Sequence, residues 1–191
     1  NQIFDQLPAR IWEFVAPCHV GLQPIMATIL PVPTFRTEPR NEWYSSHLRA
    51  MSEPVLAATT TTPTYRFIWL RTFHHPIAVR VVGGPGQPKV IAVELDGAGG
   101  YDPGKVLRRK EVALSTDEFK QLEELLQAQD FWGLPSNEES FGLDGAEWII
   151  EGAADKYHVV VRWSPESGPV RRLGEHFLSL AGWKVEPDEF Y

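Results

Sequence analysis

The last two thirds of the chain alternates between apolar and polar positions over short stretches, a pattern typical of β-strands whose two faces differ. In the first of these stretches Tyr65, Phe67 and Trp69 share one face. Segments rich in glycine and proline, such as "GGPGQP", separate the stretches and favour tight connections between neighbouring strands. The pattern predicts six strands, near Tyr65–Leu70, Ile77–Val82, Lys89–Leu95, Val106–Ala113, Glu147–Gly152 and Tyr157–Trp163.

Two later segments follow the helical period instead. The run "STDE" fits a capping box, in which Ser115 and Glu118 satisfy free backbone N–H groups at the start of a helix. The apolar residues that then recur on one helical face are Phe119, Leu122, Leu125 and Leu126. This helix is expected to run to about Gln129. A last helix is expected from about Val170 to Ala181, with Leu173, Phe177 and Leu180 turned inward.

The first third of the chain is irregular, because eight prolines interrupt it. The sequence predicts two short helices there, near Ala9–Val15 and Glu42–Met51, the second with Asn41 as its N-cap. The inward face of the second helix is expected to be Tyr44, Leu48 and Met51. The run "ATTTTPT" has no amphipathic period and is interpreted as a linker. We therefore expect a proline-rich arm over residues 1–63 and an α+β domain over residues 64–191.

These elements together predict an α+β protein, with an antiparallel sheet of about six strands, two helices on one face and an irregular N-terminal arm. Each helix has a single apolar stripe, so both are expected to cover the same side of the sheet. The opposite face is expected to be at least partly wet, as in many antiparallel sheets. The polar residues assigned to that face are Arg66, Arg80, Glu147, His158 and Arg162.

The stretch "FGLDGAEWIIE" places three carboxylates beside two glycines, so it could be a catalytic loop or the entry into a strand. The predicted hairpin register pairs Gly152 with Tyr157, Glu147 with Arg162, Ile149 with Val160 and Glu151 with His158. Trp148 and Ile150 then face the helices, while the two strand glutamates stay exposed about 13 Å apart. Glycosidase carboxyl pairs lie only about 5–9.5 Å apart. A structural role therefore accounts for the stretch.

Composition limits the classes of protein to consider. The chain has 191 residues, of which 43% are hydrophobic and 23% charged, as in ordinary globular domains. A net charge of −7 argues against nucleic acid as the main partner. No run of eighteen apolar residues predicts a transmembrane helix, and one cysteine excludes a disulfide within the chain. The chain starts at Asn1 rather than methionine, which is compatible with export after removal of a leader, but composition assigns no compartment.

Few residues are candidates for catalysis or metal binding. His74 and His75 lie in a turn between strands, but neighbouring side chains on an extended chain point in opposite directions. No metal-ligand spacing is present, so no metal or other cofactor is expected. Asp96 and Asp102 belong to the loop "DGAGGYDPG", which has neither the order of a phosphate-binding loop nor the acidic pattern of a calcium loop. Asp144 completes the set of weak catalytic candidates.

Three stretches, "YRFIWLRTFHHPIAVRV", "GLDGAEWIIEG" and "YHVVVRWSP", resemble a group of small bacterial proteins that have no assigned function. The resemblance covers residues 40–182. It implies a bacterial origin and a variable N-terminal segment, and it implies no activity.

Two classes of function follow. The first is a non-enzymatic protein that binds another protein, of the inhibitor, immunity or accessory type, which the acidic composition and the lack of a catalytic motif favour. The second is a hydrolase or metal-dependent enzyme centred on His74 and His75 with Asp96, Asp102 or Asp144. The two classes are separated by whether those side chains converge in one pocket. The sequence leaves the oligomeric state open.

Overall fold

The computed structural model describes residues 38–56, 62–84, 86–138, 142, 144–186 and 189–191. The helices are α1 (Glu38–Ala50), α2 (Thr116–Ala128) and α3 (Pro169–Ala181), with a 3-10 turn at Phe131–Gly133. The strands are β1 (Thr64–Arg71), β2 (Ile77–Val82), β3 (Lys89–Leu95), β4 (Val106–Ala113), β5 (Ala146–Ala153) and β6 (Tyr157–Trp163). The helix predicted near Ala9–Val15 and residues 58–61 of the predicted linker lie outside the described residues.

The six strands form one antiparallel sheet in the order β4-β3-β2-β1-β5-β6, which confirms the predicted α+β fold. β1 lies near the centre of the sheet and pairs with β2 on one side and β5 on the other. Every residue of β1 and β5 is buried. Both faces of the sheet are therefore covered at its centre.

The first face packs against α2 and α3, as the two apolar stripes predict. The helix residues buried against it are Leu122 and Leu126 of α2 and Val170, Leu173, Phe177, Leu178 and Ala181 of α3. The capping box is confirmed, because the Ser115 side chain accepts from the Glu118 N–H while the Glu118 carboxylate accepts from the Ser115 N–H at 2.8 Å. Trp148 and Ile150 face this layer and are fully buried, which confirms their predicted direction.

The second face packs against α1, and this corrects the expectation of a wet face. Tyr44, Leu48 and Met51 are buried in a second core together with apolar residues of β1, β2, β3, β5 and β6. The helix also begins at Glu38, so Asn41 lies within it and is not the N-cap. Helix α1, which lies within the segment assigned to the proline-rich arm, thus supplies a third layer. Tyr44, Leu48 and Met51 are spaced at i, i+4 and i+7, so one face of the 13-residue helix packs on the apolar residues of the sheet.

The hairpin register predicted from the charges is wrong by one residue. Glu147 lies opposite Trp163, Glu151 opposite Val159, and Gly152 opposite His158. Because side chains alternate with a period of two, this shift moves Arg162 and His158 away from the glutamates and onto the face of α2 and α3. The two glutamates lie beneath α1 and are buried instead of exposed.

Candidate functional site

The catalytic candidates from the sequence lie at one end of the sheet. β1 and β3 run in the same direction, and β5 begins where β1 ends, so the loops 72–76, 96–105 and 144–145 meet there. Backbone hydrogen bonds join these loops, from the Thr72 N–H to the Gly145 carbonyl (2.9 Å) and from the Gly99 N–H to the His74 carbonyl (3.1 Å). The topology thus collects residues that the sequence spreads over seventy positions.

The two histidines contact different partners. Nδ1 of His74 lies 2.7 Å from the Tyr191 hydroxyl. Nδ1 of His75 lies 3.5 Å from Oε1 of Glu94, whose other oxygen accepts a hydrogen bond from Arg108. As expected for neighbouring residues in a turn, the pair does not share one site.

Asp96 and Asp102 accept hydrogen bonds from backbone N–H groups of their own loop, whereas Asp144 faces solvent. Asp96 accepts a hydrogen bond from the Lys105 N–H (2.6 Å), and Asp102 accepts one from the Gly104 N–H (2.7 Å). Asp144 is exposed. Among the residues that the structure describes, no three His, Cys, Asp or Glu side chains are grouped so that they could hold a metal ion. The candidate side chains share a location but form no catalytic arrangement.

A charge network that the sequence did not predict lies under α1, on the central strands. Nε and Nη2 of Arg66 both lie 2.6 Å from Oε2 of Glu151, and Nη1 lies 3.4 Å from Glu53. Arg80 donates to Glu53 at 2.7 Å, and the Tyr157 hydroxyl donates to Glu151 at 2.8 Å. The network contains two cationic and two anionic groups, so its formal charge is balanced.

Burial affects the ionisation of this network. Desolvation opposes the charge of the Arg66 guanidinium, but the carboxylates of Glu151 and Glu53 outweigh that effect and raise the pKa of Arg66. Burial and the Glu151 carboxylate raise the pKa of the Tyr157 hydroxyl, which therefore stays protonated as a donor. Arg66 and Glu151 have fully enclosed side chains. The network connects Glu53, which follows α1, to the sheet, and its enclosed centre is closed to a substrate.

Glu147 takes a different partner at the other end of α1. The Tyr44 hydroxyl donates a hydrogen bond to its carboxylate, and both residues are buried. His47, one helical turn further along α1, is fully buried, and its Nδ1 lies 3.0 Å from the Trp43 carbonyl. Burial lowers the pKa of His47. Hydrogen bonds to the backbone and the Asp102 carboxylate raise it, but by less. His47 is therefore neutral at pH 7 and lies close to the loop that carries Asp102.

An open cleft with a volume of about 320 Å³ lies beside these residues. We call it the aromatic cleft, and its lining residues are Trp43, Leu70, Thr72, Gly100, Tyr101 and Trp163. Glu147 lies between Leu70 and Trp163 in the same row across the sheet. Gly142 and Gly145 lie against a wall of this cleft, since a Cβ on either would lie 2.3 or 2.6 Å from the Trp163 indole. The glycines allow the chain to pack directly against that ring.

Exposed apolar side chains gather at the same end of the sheet. Of the five large apolar side chains that are exposed among the described residues, four lie on the loops 72–76 and 96–105 or at the start of β4. We call this set the apolar corner, and its members are Phe73, Tyr101, Val106 and Leu107, which are 46–65% exposed. The rings of Phe73 and Tyr101 lie 6.4 Å apart. The fifth residue, Val55, follows α1 and is 42% exposed.

The apolar corner continues into the edge strand β4, where seven of eight residues are exposed. The opposite edge of the sheet, at β6, is partly covered because the Val161 N–H bonds to the Ser136 carbonyl at 2.7 Å. The exposed edge is strongly basic, with the consecutive cations Arg108, Arg109 and Lys110. A β-bulge next to Leu95 interrupts its pairing with β3. Basic residues and bulges at an edge oppose indiscriminate strand pairing.

Sequence reasoning missed the aromatic cleft and the apolar corner. Trp43, Tyr101 and Trp163 come from three separate segments, and no pattern in the sequence links them. The available signal was Tyr101 within a glycine-rich loop, because an aromatic residue in such a loop has little neighbouring chain to cover it.

No protein-family model matches the chain, and no curated protein matches it. No helix in the described part of the chain is long and apolar enough to cross a lipid bilayer.

Proposed function

We propose that this protein is a non-enzymatic binding protein that recognises another protein through the apolar corner. The observation that carries the proposal is the clustering of exposed apolar side chains at one end of the sheet. Single exposed apolar residues are ordinary on a protein surface, but grouped ones mark interaction sites. Phe73 and Tyr101 also belong to the aromatic class that is enriched at the centres of protein interfaces.

The supporting framework is rigid. The loops under the apolar corner are tied by backbone hydrogen bonds, and the edge strand is anchored from both faces of the sheet. Arg109 donates to the Met51 carbonyl at 3.1 Å, and Lys110 donates to the Ala181 carbonyl at 2.9 Å. A preorganised surface loses less conformational freedom on binding, which favours affinity.

The charges next to the apolar corner define the partner. A partner that contacts Val106 and Leu107 also meets Arg108, whose side chain is 50% exposed, so we expect it to present apolar and acidic side chains together. A second copy of this chain is a poor partner at this edge, because antiparallel pairing of two β4 strands would place like charges opposite one another. Electrostatic complementarity of this kind raises the association rate and makes it sensitive to salt.

The geometry supports an enzymatic function less well than it supports protein binding. His74, His75, Asp96 and Asp102 have separate partners, and Asp144 faces solvent. Catalysis of hydrolysis needs a nucleophile or activated water and a base within hydrogen-bond reach of each other. Binding through the apolar corner requires no such arrangement.

The experiment compares affinity purification with wild-type protein and with the double variant Phe73→Ser/Leu107→Ser. Both residues are exposed, so the variant is expected to keep its thermal stability within a few degrees. We expect a partner that copurifies with wild type to be lost from the variant. The purified partner should bind wild type directly in calorimetry, and the affinity should fall as salt is raised.

Val55→Ser is the matched control, because it removes the one exposed large apolar side chain of the described set that lies outside the apolar corner. It should retain the partner. The proposal is wrong if Val55→Ser loses the partner as completely as the double variant does, or if the double variant keeps it. Concentration-dependent dimerisation that the double variant abolishes would also contradict it, since the partner would then be a second copy.

A further inference from the structure

The aromatic cleft has a lining suited to one class of ligand. Three of its six lining residues, Trp43, Tyr101 and Trp163, are aromatic, and none is a lysine or arginine. Aromatic faces attract cations through their negative π-clouds, and aromatic-lined sites recognise quaternary ammonium groups. Its volume of about 320 Å³ is at the lower end of the range of small-molecule sites.

Two of the three aromatic walls, Trp43 and Trp163, pack against neighbouring residues before any ligand arrives. The Trp43 ring lies 4.9 Å from Tyr44 and 5.6 Å from His47, both of which are buried. The Trp163 indole lies directly against Gly142 and Gly145. A site whose rings are already fixed loses little rotamer freedom on binding.

The charges around the cleft favour a cation. Asp102 follows Tyr101 in the chain, and its carboxylate acts on His47, which packs against Trp43. His47 itself is kept neutral by burial, so it does not oppose a positive ligand. The whole chain carries a net charge of −7. No lining residue is cationic, so the cleft itself does not repel a positive ligand.

We propose that the aromatic cleft binds an alkylammonium group, with Trp43, Tyr101 and Trp163 contacting the cation and Asp102 contributing long-range attraction. The ligand is a small organic cation that carries methyl groups, since a bare metal ion would need oxygen or nitrogen ligands that the lining does not supply. The cleft shares Tyr101 with the apolar corner, but its ligand is a small molecule and its test uses no partner protein.

The test is a titration with choline, followed in the NMR spectrum by the indole N–H signals, which are assigned by replacing each tryptophan with phenylalanine. We expect choline to shift the Trp43 and Trp163 signals saturably. The uncharged isostere 3,3-dimethylbutan-1-ol has the same shape without the charge. We expect it to bind at least about tenfold more weakly, because only the cation gains from the π-faces and the nearby carboxylate.

Four variants separate the effects of the ring and of the charge on choline binding from a loss of folding. Tyr101→Leu should weaken choline binding about two- to fivefold, as expected for one solvent-exposed ring, while Tyr101→Phe should leave it unchanged. Asp102→Asn keeps an oxygen for the Gly104 N–H but removes the charge, so it should also weaken binding. Val55→Ser should have no effect.

Equal affinity for choline and its neutral isostere would overturn the proposal, because the cleft would then be an unselective apolar groove. Absence of any saturable shift at Trp43 or Trp163 would also overturn it. Either result would leave the protein-binding proposal standing, since that proposal is judged by partner retention in the apolar-corner variant.

Discussion

Removal of one charge from the buried network should strongly destabilise the protein. Glu151→Gln keeps the shape of the side chain but removes the carboxylate 2.6 Å from the Arg66 guanidinium. The network of two arginines and two glutamates then changes from balanced to a net charge of +1. Arg66 is fully buried and retains the Pro54 carbonyl at 2.8 Å and one anionic partner, Glu53 at 3.4 Å, which it already shares with Arg80.

The size of the effect follows from this geometry. Removing one partner of a buried ion pair costs about 3–5 kcal/mol, because the remaining charge is cut off from water and here keeps only a carboxylate that it shares with Arg80. The loss is a large fraction of the roughly 5–15 kcal/mol that stabilises a typical domain. For a chain of this size it corresponds to a fall in melting temperature of about 6–20 °C.

Equilibrium unfolding in urea, followed by tryptophan fluorescence and far-UV circular dichroism, measures the change. Glu175→Gln is the matched control, because Glu175 pairs with Arg171 one turn away on α3 with its side chain 46% exposed. That variant should change the free energy of unfolding by less than about 1 kcal/mol. If Glu151→Gln were equally mild, the inference that Arg66 is sealed beneath α1 would be refuted.

Three further predictions concern other parts of the fold. Trp148→Ala should lower the free energy of unfolding by about 3–5 kcal/mol in urea titrations, because it leaves a cavity between the sheet and α3; a loss below about 1 kcal/mol would contradict its burial. Ser115→Ala should cost about 1 kcal/mol through loss of the N-cap of α2, measured in the same way, and Ser115→Asp should restore most of it. Burial lowers the pKa of His47, His158 and His176 below the ordinary value of 6.5, so the unfolded chain binds more protons near and below that pH. The melting temperature should therefore fall as the pH is lowered from about 7 to 5, and the variant His158→Gln should show a smaller fall than wild type.

Local signals in the sequence determined most of the secondary structure. Turn segments in the sequence placed β2, β3 and β4 at their observed bounds, and the capping box placed the start of α2. These signals act between residues a few positions apart, so they are readable without knowing the tertiary structure.

Tertiary structure alone decided what covers the second face of the sheet and how the last hairpin is aligned. The predicted register gave opposite charges to exposed cross-strand pairs, which contribute little to stability. In the fold, α1 seals that face, so Glu151 must instead find its counter-ion in Arg66 on the neighbouring strand β1. Since an unpaired buried charge costs several kcal/mol, this contact outweighs the weak surface pairs that the sequence suggested.

For the candidate functional surfaces, too, the sequence indicated one part and only the tertiary structure showed the rest. The sequence pointed to His74 and to the glycine-rich loop, and both lie at the end of the sheet where the aromatic cleft and the apolar corner are found. It could not show that Trp43 and Trp163 join Tyr101 there, because they belong to α1 and β6, far apart in the chain. Their meeting depends on the packing of α1 over the sheet, which is set by the burial of apolar area between distant segments and leaves no local pattern in the sequence.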